Sequence, residues 1–173
     1  MAFKIKTVKG KNTKQSANNL AKNLKQIGAG HFDIVYGRDD VEFVVKIGNQ
    51  ENIGYIGYLQ SLAEYNGKNP YFPKIYDVTF FEDEKDENKF WYAVRMERLV
   101  HGWSSEYNDK FRKDVNTLIA IVCGTASGNE HLNSVYRVVR RALDISQCNT
   151  TDLHEGNMML RGKQIVLIDP ISC

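Results

Sequence analysis

Asp152, Asn157 and Asp169 are the residues of this chain whose types and spacing suit chemistry. They lie in Asp152-Leu153-His154-Glu155-Gly156-Asn157 and in Leu167-Ile168-Asp169-Pro170. A carboxylate, an amide five residues on, and a second carboxylate ending an apolar run follow the order that phosphoryl transfer uses. One carboxylate accepts the proton of the attacking hydroxyl. The amide oxygen and the other carboxylate hold Mg²⁺ on the nucleotide phosphates. Asp152 is the expected base, and Asn157 and Asp169 are the expected metal ligands. His154 reads as a hydrogen-bonded support for the loop, with a phosphate contact as the alternative. Any one of these residues is also an ordinary turn former, so the weight rests on what precedes them.

Upstream, Gly28-Ala29-Gly30-His31-Phe32-Asp33-Ile34-Val35 matches a phosphate-cradling glycine loop at two glycines and the valine. Glycine lets the backbone approach phosphate oxygens without a Cβ clash. Gly28 and Gly30 could equally cap a preceding helix. Asp33 stands where a third glycine is usual, and it is expected to point to solvent. In Val44-Val45-Lys46-Ile47 a strand offers Lys46 to the α- and β-phosphates. Glu64, eighteen residues later, is the candidate partner that orients the lysine, with Glu51 as its rival. Tyr92 to Leu99 reads as a strand and hinge, where the backbone of Glu97 and Leu99 meets the adenine and Met96 guards the pocket.

Positioning these groups takes two kinds of structure. Ala17, Leu20, Ala21, Leu24 and Ile27 recur at helical spacing, which predicts a helix ending near Gly28. Strands are predicted at 31–36 and 41–47, a helix over 53–65 stopped by Asn66-Gly67, and a hairpin of 75–81 with 90–96 around a charged, solvated tip. The first part is therefore expected to be strands with the 53–65 helix packed on them. Two apolar stripes follow, from Phe111 to Val122 and from Leu132 to Leu143, the second with Ser127 and Glu130 at capping-box spacing. A short hairpin of 158–160 with 165–168 closes the pattern. The fold class expected is α+β.

Composition bounds the rest. The chain has 173 residues, 42% of them hydrophobic, and a net charge of +2, so neither membrane nor specific nucleic-acid binding is expected. Seven lysines and no acid fall within the first 25 residues, which reads as a solvated arm or a docking arm for an acidic partner. Cys123, Cys148 and Cys173 are odd in number and scattered, as free thiols of a reducing compartment would be. With no signal-peptide pattern at the start, a cytoplasmic location is expected.

Gly28 to Tyr36, Val44 to Gly48, Pro73 to Val78 and above all Asp152 to Ser172 resemble the early serine/threonine protein kinase family of T7-group phages. The resemblance implies a reduced protein-kinase-like fold. Residues 1–27 would form a basic arm and helix, 28–99 a sheet lobe with glycine loop and hinge, and 100–173 a truncated helical lobe with the catalytic loop. It also implies ATP and Mg²⁺ as cofactors and host bacterial proteins as substrates in the host cytoplasm. Thr150-Thr151 stand where cellular kinases have His-Arg, and Pro170-Ile171 where they have Phe-Gly. Control by activation-loop phosphorylation is therefore not expected. Two other functions fit the same residues: a small-molecule phosphotransferase, and a kinase-shaped protein that blocks a host or defence factor by binding.

Overall fold

Alternating apolar residues and three hairpins build the larger sheet of this mixed α+β protein. The computed structural model describes residues 3–65, 67–101, 108–126 and 128–173. Its chain divides into two units: Phe3–Asn52 with Lys74–Arg98, and Ile53–Pro73 with Leu99–Cys173.

The first unit holds β1 (Ile5–Gly10), α1 (Thr13–Asn19), β2 (Lys25–Ala29), β3 (Asp33–Gly37), β4 (Phe43–Asn49), β5 (Ile75–Asp83) and β6 (Phe90–Glu97). They form one sheet in the order β1-β5-β6-β4-β3-β2, antiparallel throughout except for β1, which runs parallel to β5. Since β1 and β2 are opposite edges, the chain between them crosses one sheet face. There Ala17 and Ala21, small enough for close approach, pack on Val45, Ile47, Phe81 and Ala93. These are odd-numbered positions on β4, β5 and β6, and strand alternation turns Lys46 to the other face.

Two expectations are corrected here. The predicted helix to Gly28 stops at Asn19; tight backbone turns carry the chain to Leu24, and Ile27 belongs to strand β2. The basic start is not a free arm. It is edge strand β1, where Lys9 and Lys11 sit 4.0 and 3.6 Å from Glu82 and Glu84. Lysines on an edge strand also discourage pairing with another chain.

The second unit contains α2 (Ile53–Glu64), β7 (Val100–His101), α3 (Asn108–Val122), α4 (Glu130–Ser146), β8 (Thr150–Thr151), β9 (Met158–Arg161), β10 (Gln164–Leu167) and β11 (Ile171–Ser172). The helix that packs on the sheet is thus α1, while α2 packs against α4. Ser127 and Asn66 lie outside the described residues. The observed cap of α4 is Asn129, whose side chain accepts from the Leu132 N–H, and a left-handed Gln147 ends the helix.

Close approach of α2 to α4 depends on Gly57. A Cβ there would lie 2.8 Å from the carbonyl oxygen of Ala142 and 2.8 Å from the Ser146 Cβ. Gly57→Ala gains roughly 1 kcal/mol of helix propensity but incurs overpacking of about 1–3 kcal/mol against a backbone that has little room to yield. A net loss of about 1 kcal/mol in urea denaturation is expected, and a stabilised variant would refute this packing.

Cys148 and Cys173 are joined in a disulfide, which corrects the expectation of free thiols; Cys123 alone remains free and exposed. The bridge spans a sequence separation of 25 and encloses Asp152, Asn157 and Asp169. Closing a loop of that length stabilises a fold by about 3 kcal/mol in the chain-entropy account. Reductant, or Cys148→Ser, is expected to lower stability by about that amount; identical urea midpoints with and without reductant would exclude the bridge in solution. No described helix is long and apolar enough to cross a membrane.

Candidate active site

The loop from Asp152 to Asn157 is built from local hydrogen bonds. His154 Nδ1 accepts from the Gly156 N–H at 3.0 Å and starts a single 3₁₀ turn over Glu155–Asn157. The other ring nitrogen, Nε2, lies 3.5 Å from Asp152 Oδ1 and 3.2 Å from Asn157 Nδ2. The expected loop-supporting role of His154 thus has a geometry. Asn157 Nδ2 donates to both the backbone oxygen and Oδ2 of Asp152, each at 2.9 Å. Amide and carboxylate are therefore clamped together, and the Asp152 side chain stays about half exposed.

Asp169 is held against this loop by the backbone on either side of it. The Ile168 N–H donates to the Asn157 carbonyl at 3.0 Å, and the Asp152 N–H donates to the Pro170 carbonyl at 2.8 Å. Two short ladders supply the frame: β9 with β10, pairing Met158 with Leu167, and β8 with β11, pairing Thr151 with Ile171. Asp152, Asn157 and Asp169 are thereby brought together within one unit. A cavity of about 390 Å³ adjoins the loop, bounded by Val115, Asn116 and Ile119 of α3 and by Leu153 to Gly156. Arg112 of α3 reaches Glu155 at 3.7 Å at its rim.

The donor set fits Mg²⁺. With its nitrogen committed to Asp152, Asn157 would offer its amide oxygen, and Asp169 would be the carboxylate of such a site. Among the described residues no group of three His, Cys, Asp or Glu could hold a metal alone. Mg²⁺ bound through one carboxylate, an amide and phosphate oxygens does not need such a group.

The remaining expected site residues lie in the sheet unit, apart from Glu64 and Leu99. Gly28, Ala29, His31 and Phe32 belong to the β2–β3 hairpin, whose turn is closed by the Gly30 N–H donating to the Asp33 carbonyl at 2.9 Å. Gly28 pairs with Val35, and Val35 with Lys46, so the three form one transverse row. Directly paired residues share a face, and Asp33, two residues before Val35, shares it too.

Asp33 therefore does not point to solvent. Its Oδ2 meets Lys46 Nζ at 2.9 Å, with side chains only 9% and 11% exposed, and accepts from Asn52 Nδ2 at 3.1 Å. Gly30 permits this fold-over, since a Cβ there would sit 2.9 Å from Asp33 Oδ1.

Glu64 is not the partner expected for Lys46. It makes a two-pronged bond to Arg141 of α4, at 2.8 and 3.1 Å, and those hydrogen bonds hold its carboxyl below the usual range. Helical periodicity set Glu64 on the polar side of α2 but not against which neighbour. Glu51 precedes α2, and its N–H donates to Asn49 Oδ1. Met96 is buried in β6, and Glu97 is tied to Lys74: its N–H donates to the Lys74 carbonyl, and its Oε1 accepts from the Lys74 N–H at 2.7 Å. The Glu97 N–H is thus already used. Leu99 opens the second unit's later segment and is partly buried.

Tyr58 escaped the sequence reading. Fully buried on α2, it donates through its hydroxyl to the Leu167 carbonyl at 2.8 Å, two residues before Asp169. The available signal was Tyr55 and Tyr58 alternating with Gly54 and Gly57, large and small residues at one-turn spacing.

No protein-family model matches this chain, and no curated protein matches it.

Proposed function

We propose that this chain is an ATP-dependent serine/threonine protein kinase with a reduced kinase-like fold, akin to the early kinases of T7-group phages and acting on host bacterial proteins in the host cytoplasm. The observation that carries it is the clamped loop: Asp152 and Asn157 joined by two hydrogen bonds, with Asp169 tethered by its neighbours on both sides. Phosphoryl transfer asks for positioning more than for strong covalent chemistry. Asp152 accepts the proton of the acceptor hydroxyl; the Asn157 amide orients its carboxylate. Asn157 Oδ1 and the Asp169 carboxylate would hold Mg²⁺, which when bound would neutralise charge on the phosphate oxygens. Lys46 is assigned to the nucleotide phosphates, exchanging Asp33 for them. The cavity beside Leu153–Gly156 offers room for the residue that carries the hydroxyl.

A second reading is a binding protein that blocks a host or defence factor. It draws support from the Lys46–Asp33 ion pair, in which a carboxylate already answers the lysine's charge. Purified protein incubated with γ-labelled ATP, Mg²⁺ and bacterial lysate, beside Asp152→Asn, separates the possibilities. Label on protein, lost in the variant, is the expected result. Label on a small metabolite would indicate a small-molecule phosphotransferase, and no Asp152-dependent label would favour binding alone.

A further inference from the structure

Helix α2 meets the segment of Asp169 through Tyr58. Hydrogen bonds that anchor residues 167–170 include four at Leu167, Ile168 and Pro170. Leu167 gives its N–H to the Tyr71 carbonyl at 2.8 Å and takes the Tyr58 hydroxyl on its own carbonyl at 2.8 Å. Ile168 is bonded to the backbone of Asn157, and Pro170 to that of Asp152. Of these four bonds, one comes from a side chain. The phenol that makes it is fully buried, and burial first, then neighbouring Tyr55 and Asp169, pushes it well above the ordinary range for tyrosine. The helix itself is pressed onto the same segment: a Cβ at Gly54 would lie 2.8 Å from the Ile171 carbonyl oxygen.

We infer that Tyr58 is a positioning residue for the metal-binding carboxylate, acting through the Leu167 carbonyl to set where Asp169 stands relative to Asn157. This rests on the phosphotransferase reading above. A hydroxyl that only satisfies a buried carbonyl would affect stability alone. One that sets Asp169 also governs how tightly metal binds, because Mg²⁺ and Mn²⁺ tolerate little change in the spacing of their oxygen ligands.

Tyr58→Phe keeps the ring and removes the bond. Two readouts are taken well below the melting temperature: Mn²⁺ binding in the presence of ADP by electron paramagnetic resonance, and the Mg²⁺ concentration that gives half the maximal transfer rate. Both are expected to weaken about fivefold or more, with the rate at saturating Mg²⁺ within twofold of the unsubstituted protein. A lower melting temperature with unchanged Mn²⁺ affinity and Mg²⁺ dependence would overturn the inference while leaving the kinase reading intact. If the unsubstituted protein itself neither binds Mn²⁺ with ADP nor transfers phosphate, both fall together.

Discussion

Asp152→Asn is expected to cut the rate of phosphoryl transfer about 10²–10⁴-fold, the scale on which a positioned general base contributes. The substitution is nearly isosteric and removes the charge. The Asn157 amide still finds the backbone oxygen of residue 152, at 2.9 Å in the unsubstituted protein, so the loop stays closed and nucleotide affinity should change little. What disappears is the acceptor for the hydroxyl proton. The check is a time course of label transfer at saturating ATP for both proteins, with ATP binding measured separately. Turnover within threefold of the unsubstituted protein would remove Asp152 from the mechanism.

Lys46→Met is expected to destabilise the sheet unit by about 3 kcal/mol. Breaking a buried ion pair from one side costs roughly 3–5 kcal/mol, because the other charge is left without compensation. Here Asp33 retains the Asn52 amide as a donor, which puts the expected loss at the lower end. Adding Asp33→Asn removes the stranded charge, so the double variant should recover most of the loss. Urea denaturation of the single and double variants measures both numbers. A single variant within 0.5 kcal/mol of the unsubstituted protein, an order-of-magnitude threshold for an exposed pair, would show that the pair is solvated.

The same pair of variants separates catalysis from binding. At temperatures where all remain folded, a kinase loses transfer in both, since neither keeps the phosphate cation. A binding protein keeps its biological effect in the double variant.

The closure of the loop was legible in the sequence because it is local. Asp152 and Asn157 are five residues apart, and a hairpin of two short strands returns the chain to Asp169. Turn-forming residues and a brief apolar alternation settle such a path with little help from elsewhere. The β3–β4 and β5–β6 hairpins were readable for the same reason.

Readings failed where periodicity was ambiguous or the partner distant. Ala17 to Ile27 carries a helical stripe, yet its last part pairs as β2, since a bulge at Gln26 and Gly28 lets the strand meet β3. β1 is a lysine-rich segment that becomes a strand only because β5, some seventy residues on, lends it a parallel ladder.

Residue types and short-range spacing thus dictated the β3–β4 and β5–β6 hairpins, the two long helices and the loop that brings Asp152, Asn157 and Asp169 together, since each arises from neighbours along the chain. The identity of ion-pair and hydrogen-bond partners came from folding. Asp33 reaches Lys46 through strand register, Glu64 reaches Arg141, and Tyr58 reaches Leu167 across a separation of 109 residues. A side chain's type says what bond it can make. Which group stands within 3 Å of it depends on how separate elements pack, and local pattern does not encode that.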